Sequence, residues 1–178
     1  MANRTELRLA GSGGQGIILA SIILAEAAVI AGKNVAQTQS YGPEARGGMC
    51  KAEVVISDGE IGFFKVQKPT LILALTQLSL DQYTKGAPES CVIVADESLD
   101  TSACPEGPRI IRLPILRTAN ETVGKAFTAN IVAIGAVNRI IPIASDAEIR
   151  QAVGRHIPKG TEEINFKALD LGSRLENA

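Results

Sequence analysis

A chain of 178 residues that is 46% hydrophobic and 21% charged can bury one good core, and its length argues against two. A formal net charge of −1 leaves no basic excess to neutralise phosphates, and 3% aromatics with no Trp leave no stacking platform, which argues against nucleic-acid binding. Cys50, Cys91 and Cys104 lack C-x-x-C spacing, so they form no iron–sulfur, zinc or thioredoxin motif, and such a sparse, odd set fits a reducing cytoplasm.

The opening MANRTELRLA has no apolar signal region, so a cytoplasmic protein is expected. Leu7–Ala10 reads as a short strand running into GSGGQG, Gly11 to Gly16. Ile17–Ala31 follows as a helix, apolar around most of its circumference and stopped by Gly32. It carries Glu26 and is too short for a bilayer, so it reads as a sandwiched core helix and no membrane span. Asn34–Thr38 is a second expected strand. Lys51–Ser57 is a third, with Ala52, Val54 and Ile56 on one face, and Asp58–Gly59 reads as a hairpin-type turn after it.

Leu71–Leu75 and Cys91–Ala95 are the continuous apolar runs expected of strands buried on both faces. Thr76–Lys85 between them reads as a helix ended by Gly86, Asp96–Pro108 as a surface loop, and Ile110–Leu113 as a short strand. Ala126–Ile141 is a long helix closed by Pro142. Ser145-Asp-Ala-Glu148 is a capping box that opens another, and Thr161 begins the last. No repeat interrupts this alternation. It predicts a single α/β domain over residues 1–178: three layers, with a mostly parallel twisted sheet and helices on both faces.

Two stretches carry candidate chemistry. GSGGQG matches G-x-G-x-x-G between a strand and a helix, where glycines permit a tight turn and the helix start favours an anion. Either Gly11, Gly13, Gly14, Gln15 and Gly16 cradle such an anion, or the glycines only let strand and helix pack closely. A nicotinamide site would need an acid about 20 residues on. Val35-Ala-Gln-Thr-Gln39 has none, and no Lys–Ser/Thr pair makes a Walker loop. YGPEARGGM, Tyr41 to Met49, is the second stretch. Pro43 and Gly47–Gly48 make a stiff bend, leaving Arg46 free to grip a planar anion or to pair with Glu44.

No nucleophile–base set accompanies these stretches. His156, at a helix end before Pro158, suits a capping or surface role. Cys50 opens a strand and reads as core. Asp96–Glu97 and Glu162–Glu163 are acids that end strands and begin helices, not acid–base pairs.

GSGGQGIILASIILAEAA, SYGPEARGGMCKAEVVIS and PKGTEEINFKALDLG together resemble the gamma subunit of 2-oxoacid:ferredoxin oxidoreductases, most similar to the 2-oxoglutarate type, from about Glu6 to Gly172. The resemblance implies a complex that decarboxylates a 2-oxoacid on thiamine diphosphate with magnesium. It passes the acyl group to CoA and the electrons through [4Fe–4S] clusters to ferredoxin. It implies alpha and beta partners, with a delta subunit in some assemblies, and a gamma chain that docks beside the active-site cavity near the CoA entry and is inactive alone. Gly11, Gly13, Gly14, Gln15, Gly16, Arg46, Gly47 and Gly48 are then the residues expected to face a cofactor's phosphates. The alternative is a stand-alone nucleotide-binding module that uses Gly11–Gly16.

Overall fold

Alternation along β1 (Arg4–Ser12) sends Leu7 and Leu9 to one side and Glu6 and Arg8 to the other, which gives the sheet two unlike faces. The computed structural model describes residues 4–41 and 48–177. After β1 come α1 (Ile17–Ile30), β2 (Asn34–Tyr41), β3 (Met49–Ser57), β4 (Leu71–Ala74) and α2 (Gln77–Tyr83). Strands β5 (Val92–Asp96) and β6 (Arg109–Leu113) follow, then a single α-turn, α3 (Ile115–Arg117), that runs into a π-helical turn at Thr118–Val123. Three helices close the chain: α4 (Ala129–Ile140), entered through a 3₁₀ turn at Ala126–Thr128, α5 (Asp146–His156) and α6 (Glu162–Ser173).

The six strands lie in the order β2-β3-β1-β4-β5-β6. Pairs β1–β4, β4–β5 and β5–β6 are parallel, whereas β3 runs antiparallel to both β1 and β2. Five strands therefore point one way and β3 alone is reversed. The expectation of a mostly parallel sheet holds, with this one inversion. Its cause is connection length: seven residues separate Tyr41 from Met49, too few for a parallel crossover and enough for a hairpin.

That hairpin corrects the turn expected at Asp58–Gly59. β3 pairs with β2 before it and not with the strand after it. Residues 58–70 instead cross beneath the sheet to β4, on the far side of β1. Glu6 holds this crossing in place: its Oε2 accepts from the Gln67 and Lys68 N–H groups at 2.6 and 2.8 Å. Arg4 Nε lies 2.7 Å from Glu6 Oε1.

Helices cover both faces, unequally. On one face α1, α4, α5 and α6 bury Leu7, Leu9, Val54, Leu71, Leu73 and Val94 in the main core. On the other, α2 and the loop after β5 close a smaller cluster around Ile72, Ile93 and Leu80. The β1–β3 half of that face is polar. There Glu53 Oε1 takes Arg8 Nε at 2.8 Å and Lys51 Nζ at 3.3 Å, and Lys51 sits over the Tyr83 ring.

Local signals set the ends of several helices. The box at Ser145 and Glu148 forms in both directions at the start of α5, and Gly32 follows α1 in the left-handed region, φ 78°. Sequence reading passed over α3 and the π turn, because Ile115–Val123 has no sustained apolar period. Buried Asp96 organises this region: its Oδ2 accepts from the Leu116 N–H at 2.8 Å and its Oδ1 from the Ser98 hydroxyl at 2.6 Å.

Candidate anion site at the first strand–helix turn

Gly11 and Ser12 are the last residues of β1, and Gly16 is the cap residue of α1, so the glycine motif spans the turn between them. Gly14 and Gly16 have φ of 95° and 72°, a region that a side chain makes costly. Gln15 fastens the turn from within. Its Oε1 accepts from the Ser12 N–H at 2.8 Å, its Nε2 donates to the Leu75 carbonyl at 3.3 Å, and its own N–H bonds to the Ser12 carbonyl. The amide thus occupies the space above Gly11, where a Cβ would collide with it. Both its oxygen and its nitrogen are engaged with backbone groups.

The outward side of the turn is open. Gly13 and Gly14 are exposed, and no side chain among the described residues caps the start of α1, whose first intrahelical bond is Ala20 N–H to the Gly16 carbonyl. The N–H groups of Ile17, Ile18 and Leu19 have no partner among the described residues. They lie at the positive end of a 14-residue helix. Chemically this is a place for an anion.

The second motif arrives at the same spot. Antiparallel pairing of β1 with β3 sets Ser12 opposite Met49 and Gly11 opposite Cys50. Gly13 N–H then donates to the Gly48 carbonyl at 3.1 Å. Stretches more than 30 residues apart in sequence therefore meet at the open face of the turn. Arg46 and Gly47 lie outside the described residues, immediately before this anchor.

The turn also stands where ligands gather in open α/β sheets. The chain leaves β1 for α1 on one face and leaves β4 for α2 on the other, so a crevice opens between the carboxyl ends of β1 and β4. Thr76 caps α2, and Ser79 Oγ donates to the Gly11 carbonyl at 3.2 Å, so the crevice is closed below. Sequence reading found the helix here but not this tie, since nothing in QLS announces a bond to a residue 68 positions earlier. Asn130 was missed for the same reason. It is buried behind Gly16, its Oδ1 accepting from the Ile131 N–H.

A nicotinamide reading fails on geometry as well as on composition. In dinucleotide folds the ribose-binding acid sits on the strand beside the first. Here β3 separates β2 from β1, and β2 carries no acid.

The remaining candidates lie elsewhere. His156 ends α5, and its Nε2 meets Glu26 Oε2 of α1, with Arg155 Nη1 on the other carboxylate oxygen at 2.7 Å. Arg155 first, and His156 after it, hold the Glu26 carboxyl below the usual range. Cys50 is buried on the α1 side of the sheet and Cys91 on the α2 side, with Cys104 packed against the Cys91 cluster. Burial raises all three thiols, Cys91 to about 11, which makes them poor nucleophiles at neutral pH.

Residues 6–175 match the family described as pyruvate ferredoxin/flavodoxin oxidoreductase. The chain is 45% identical over 172 residues to "2-oxoglutarate synthase subunit KorC" of Methanocaldococcus jannaschii, covering 95% of this chain and 92% of that one. It is 41% identical over 179 residues to the KorC subunit of Methanothermobacter thermautotrophicus, covering 97% and 95%. Among solved structures it is similar to the gamma subunit of a keto/oxoacid ferredoxin oxidoreductase from Geobacter sulfurreducens PCA. The TM-score is 0.86 at 41% identity, over 96% of this chain and 95% of that one.

Proposed function

The chain belongs to the pyruvate ferredoxin/flavodoxin oxidoreductase family, and from that premise we propose that it is the gamma subunit of a multi-subunit 2-oxoglutarate:ferredoxin oxidoreductase. The assembled enzyme decarboxylates 2-oxoglutarate oxidatively, forms an acyl-CoA and CO2, and reduces ferredoxin. One observation carries the choice of 2-oxoacid: the 45% identity to a 2-oxoglutarate synthase subunit along nearly the whole of both chains.

The gamma chain's task is to dock beside the site and present an anion cradle to it. Thiamine diphosphate supplies the carbanion chemistry in such enzymes and belongs, with its magnesium, to the alpha and beta subunits. The [4Fe–4S] clusters belong to beta or delta. The thiols here do not fit a cluster, since the sheet stands between Cys50 and Cys91, and no group of three metal-binding side chains occurs among the described residues. The open turn does fit a phosphate. The N–H groups at the start of α1, beside exposed Gly13 and Gly14 and the Gly48 carbonyl held by Gly13, would hold a phosphate of CoA, with Arg46, two residues earlier in the sequence, as the proposed side-chain ligand. They would orient it while the partner subunits perform the chemistry.

The test is reconstitution. Co-expressed with its partner subunits, the chain should enter a complex that reduces ferredoxin or a viologen only when both 2-oxoglutarate and CoA are present. The pure chain should not turn over. A complex active on pyruvate or branched-chain 2-oxoacids but not on 2-oxoglutarate would overturn the substrate. Turnover by the pure chain would overturn the division of labour.

A further inference from the structure

The two edges of the sheet are treated differently. At one edge β6 has five residues, of which Arg109 and Arg112 are charged, and the Arg112 N–H donates to Asn177 Oδ1 of the C-terminal segment at 2.7 Å. Charge, brevity and a covering segment are the usual devices that keep an edge from pairing. At the other edge β2 has eight residues, NVAQTQSY, with no charge and no proline. It pairs with β3 without a break from Asn34↔Ser57 to Tyr41↔Cys50, and its outer side makes no backbone bond to any described residue. None of the usual devices is present there among the described residues.

Beside this edge, on the polar face of the sheet, runs a groove of about 240 Å³ lined by Thr38, Gln39, Ser40, Lys51, Glu53 and Lys65. Its charges do not balance. Glu53 is already shared between Arg8 and Lys51, and Lys65 is exposed with no acidic partner among the described residues. Two lysines thus line the groove with one carboxylate, and that carboxylate is also engaged by Arg8.

We propose that the outer edge of β2 pairs with an extended segment of a partner subunit, and that this segment carries a carboxylate side chain into the groove between Lys51 and Lys65. Backbone bonds along β2 would provide the attachment. Every second side chain of the added strand would point to the groove side, so one Asp or Glu sets the register. A second copy of this chain suits the groove poorly, because it would bring the same uncharged strand and the same lysines to the seam. The proposal rests on the multi-subunit reading above.

Hydrogen exchange on the chain alone and in the purified complex tests it. Alternate amides within Asn34–Tyr41 should exchange at least about tenfold more slowly in the complex, as newly bonded edge amides do. The isolated chain should remain monomeric by light scattering. Ser40→Glu and Lys65→Glu alter exposed side chains. Each should leave the melting temperature unchanged and weaken capture by the partner subunits about tenfold, while Ser40→Lys should not. Unchanged β2 exchange in an intact complex would overturn the proposal. So would a homodimer protected at β2, or Glu variants that bind like wild type. Failure of the wild-type chain to co-purify with any subunit would instead overturn the multi-subunit reading, and this proposal with it.

Discussion

Asn130 Nδ2 stands where a side chain at Gly16 would begin: a Cβ built on Gly16 would lie 2.7 Å from it. Gly16 is therefore held by two constraints, its left-handed backbone and the buried amide behind it. Gly14, also left-handed, has nothing within 4 Å of the same position. Gly14→Ala should cost only the backbone penalty, about 1–2 kcal/mol. Gly16→Ala should add an overpacking cost of about 1–3 kcal/mol to that. Chemical denaturation of the two variants measures the difference. Equal losses would mean that Asn130 yields freely.

Helices α4 and α6 touch through two glycines. A Cβ at Gly172 would fall on the Val132 carbonyl and one at Gly135 on the Leu169 carbonyl, both under 3 Å. Backbone cannot swing aside as a side-chain end can, so Gly172→Ala must push the helices apart, with an expected loss of about 3 kcal/mol or more. Gly154, exposed in the last turn of α5, has only Phe166 at 3.8 Å, so Gly154→Ala should stabilise by up to about 0.5–1 kcal/mol through helix propensity. The two variants should shift the melting temperature in opposite directions.

Glu26 links α1 to α5 through Arg155 and His156, and its carboxyl titrates below the ordinary range. In the unfolded chain Glu26 would bind its proton at the usual value, about 4.3. Its contribution to stability is therefore complete above that pH and is lost as pH falls through the lower, folded value. Glu26→Gln should remove this contribution at neutral pH and flatten the fall in stability as the pH drops below the usual carboxylate range. Unfolding curves at several pH values test this. Parallel curves for wild type and variant would show that the cluster is not coupled to folding.

Arg46 lies in the segment whose far end is tied to the glycine turn by the Gly48 carbonyl. Arg46→Ala should raise the KM for CoA in the assembled enzyme, losing about 2–5 kcal/mol if a bidentate contact to a desolvated phosphate is removed. Arg46→Lys keeps the charge without the fork and should recover part of that loss. Weakened assembly with unchanged kinetics would place Arg46 at a subunit contact instead. Wild-type values of both would leave it a surface residue.

Sequence alone determined what depends on neighbours in the chain. Alternation at Ala52, Val54 and Ile56 marked the core face of β3, the apolar run from Ile17 marked a sandwiched helix, and Ser145 with Glu148 marked the start of α5. The glycine turn was legible too, because positive φ and tight turns leave their mark on residue type. The reversed strand was not legible, because strands read at Asn34–Thr38 and Lys51–Ser57 leave twelve residues between them, and only the observed seven-residue gap is too short for a parallel crossover. Tertiary structure alone decided what needs strand order. Placing β3 between β1 and β2 brings Gly48 to Gly13 and keeps β2 at an open edge, and the crossing from β4 to α2 brings Ser79 to Gly11. Glu26 meets His156, 130 positions away, only because α5 packs on α1. Such contacts join groups whose residue types are ordinary where they stand, and what makes them a site is the distance the fold removes between them.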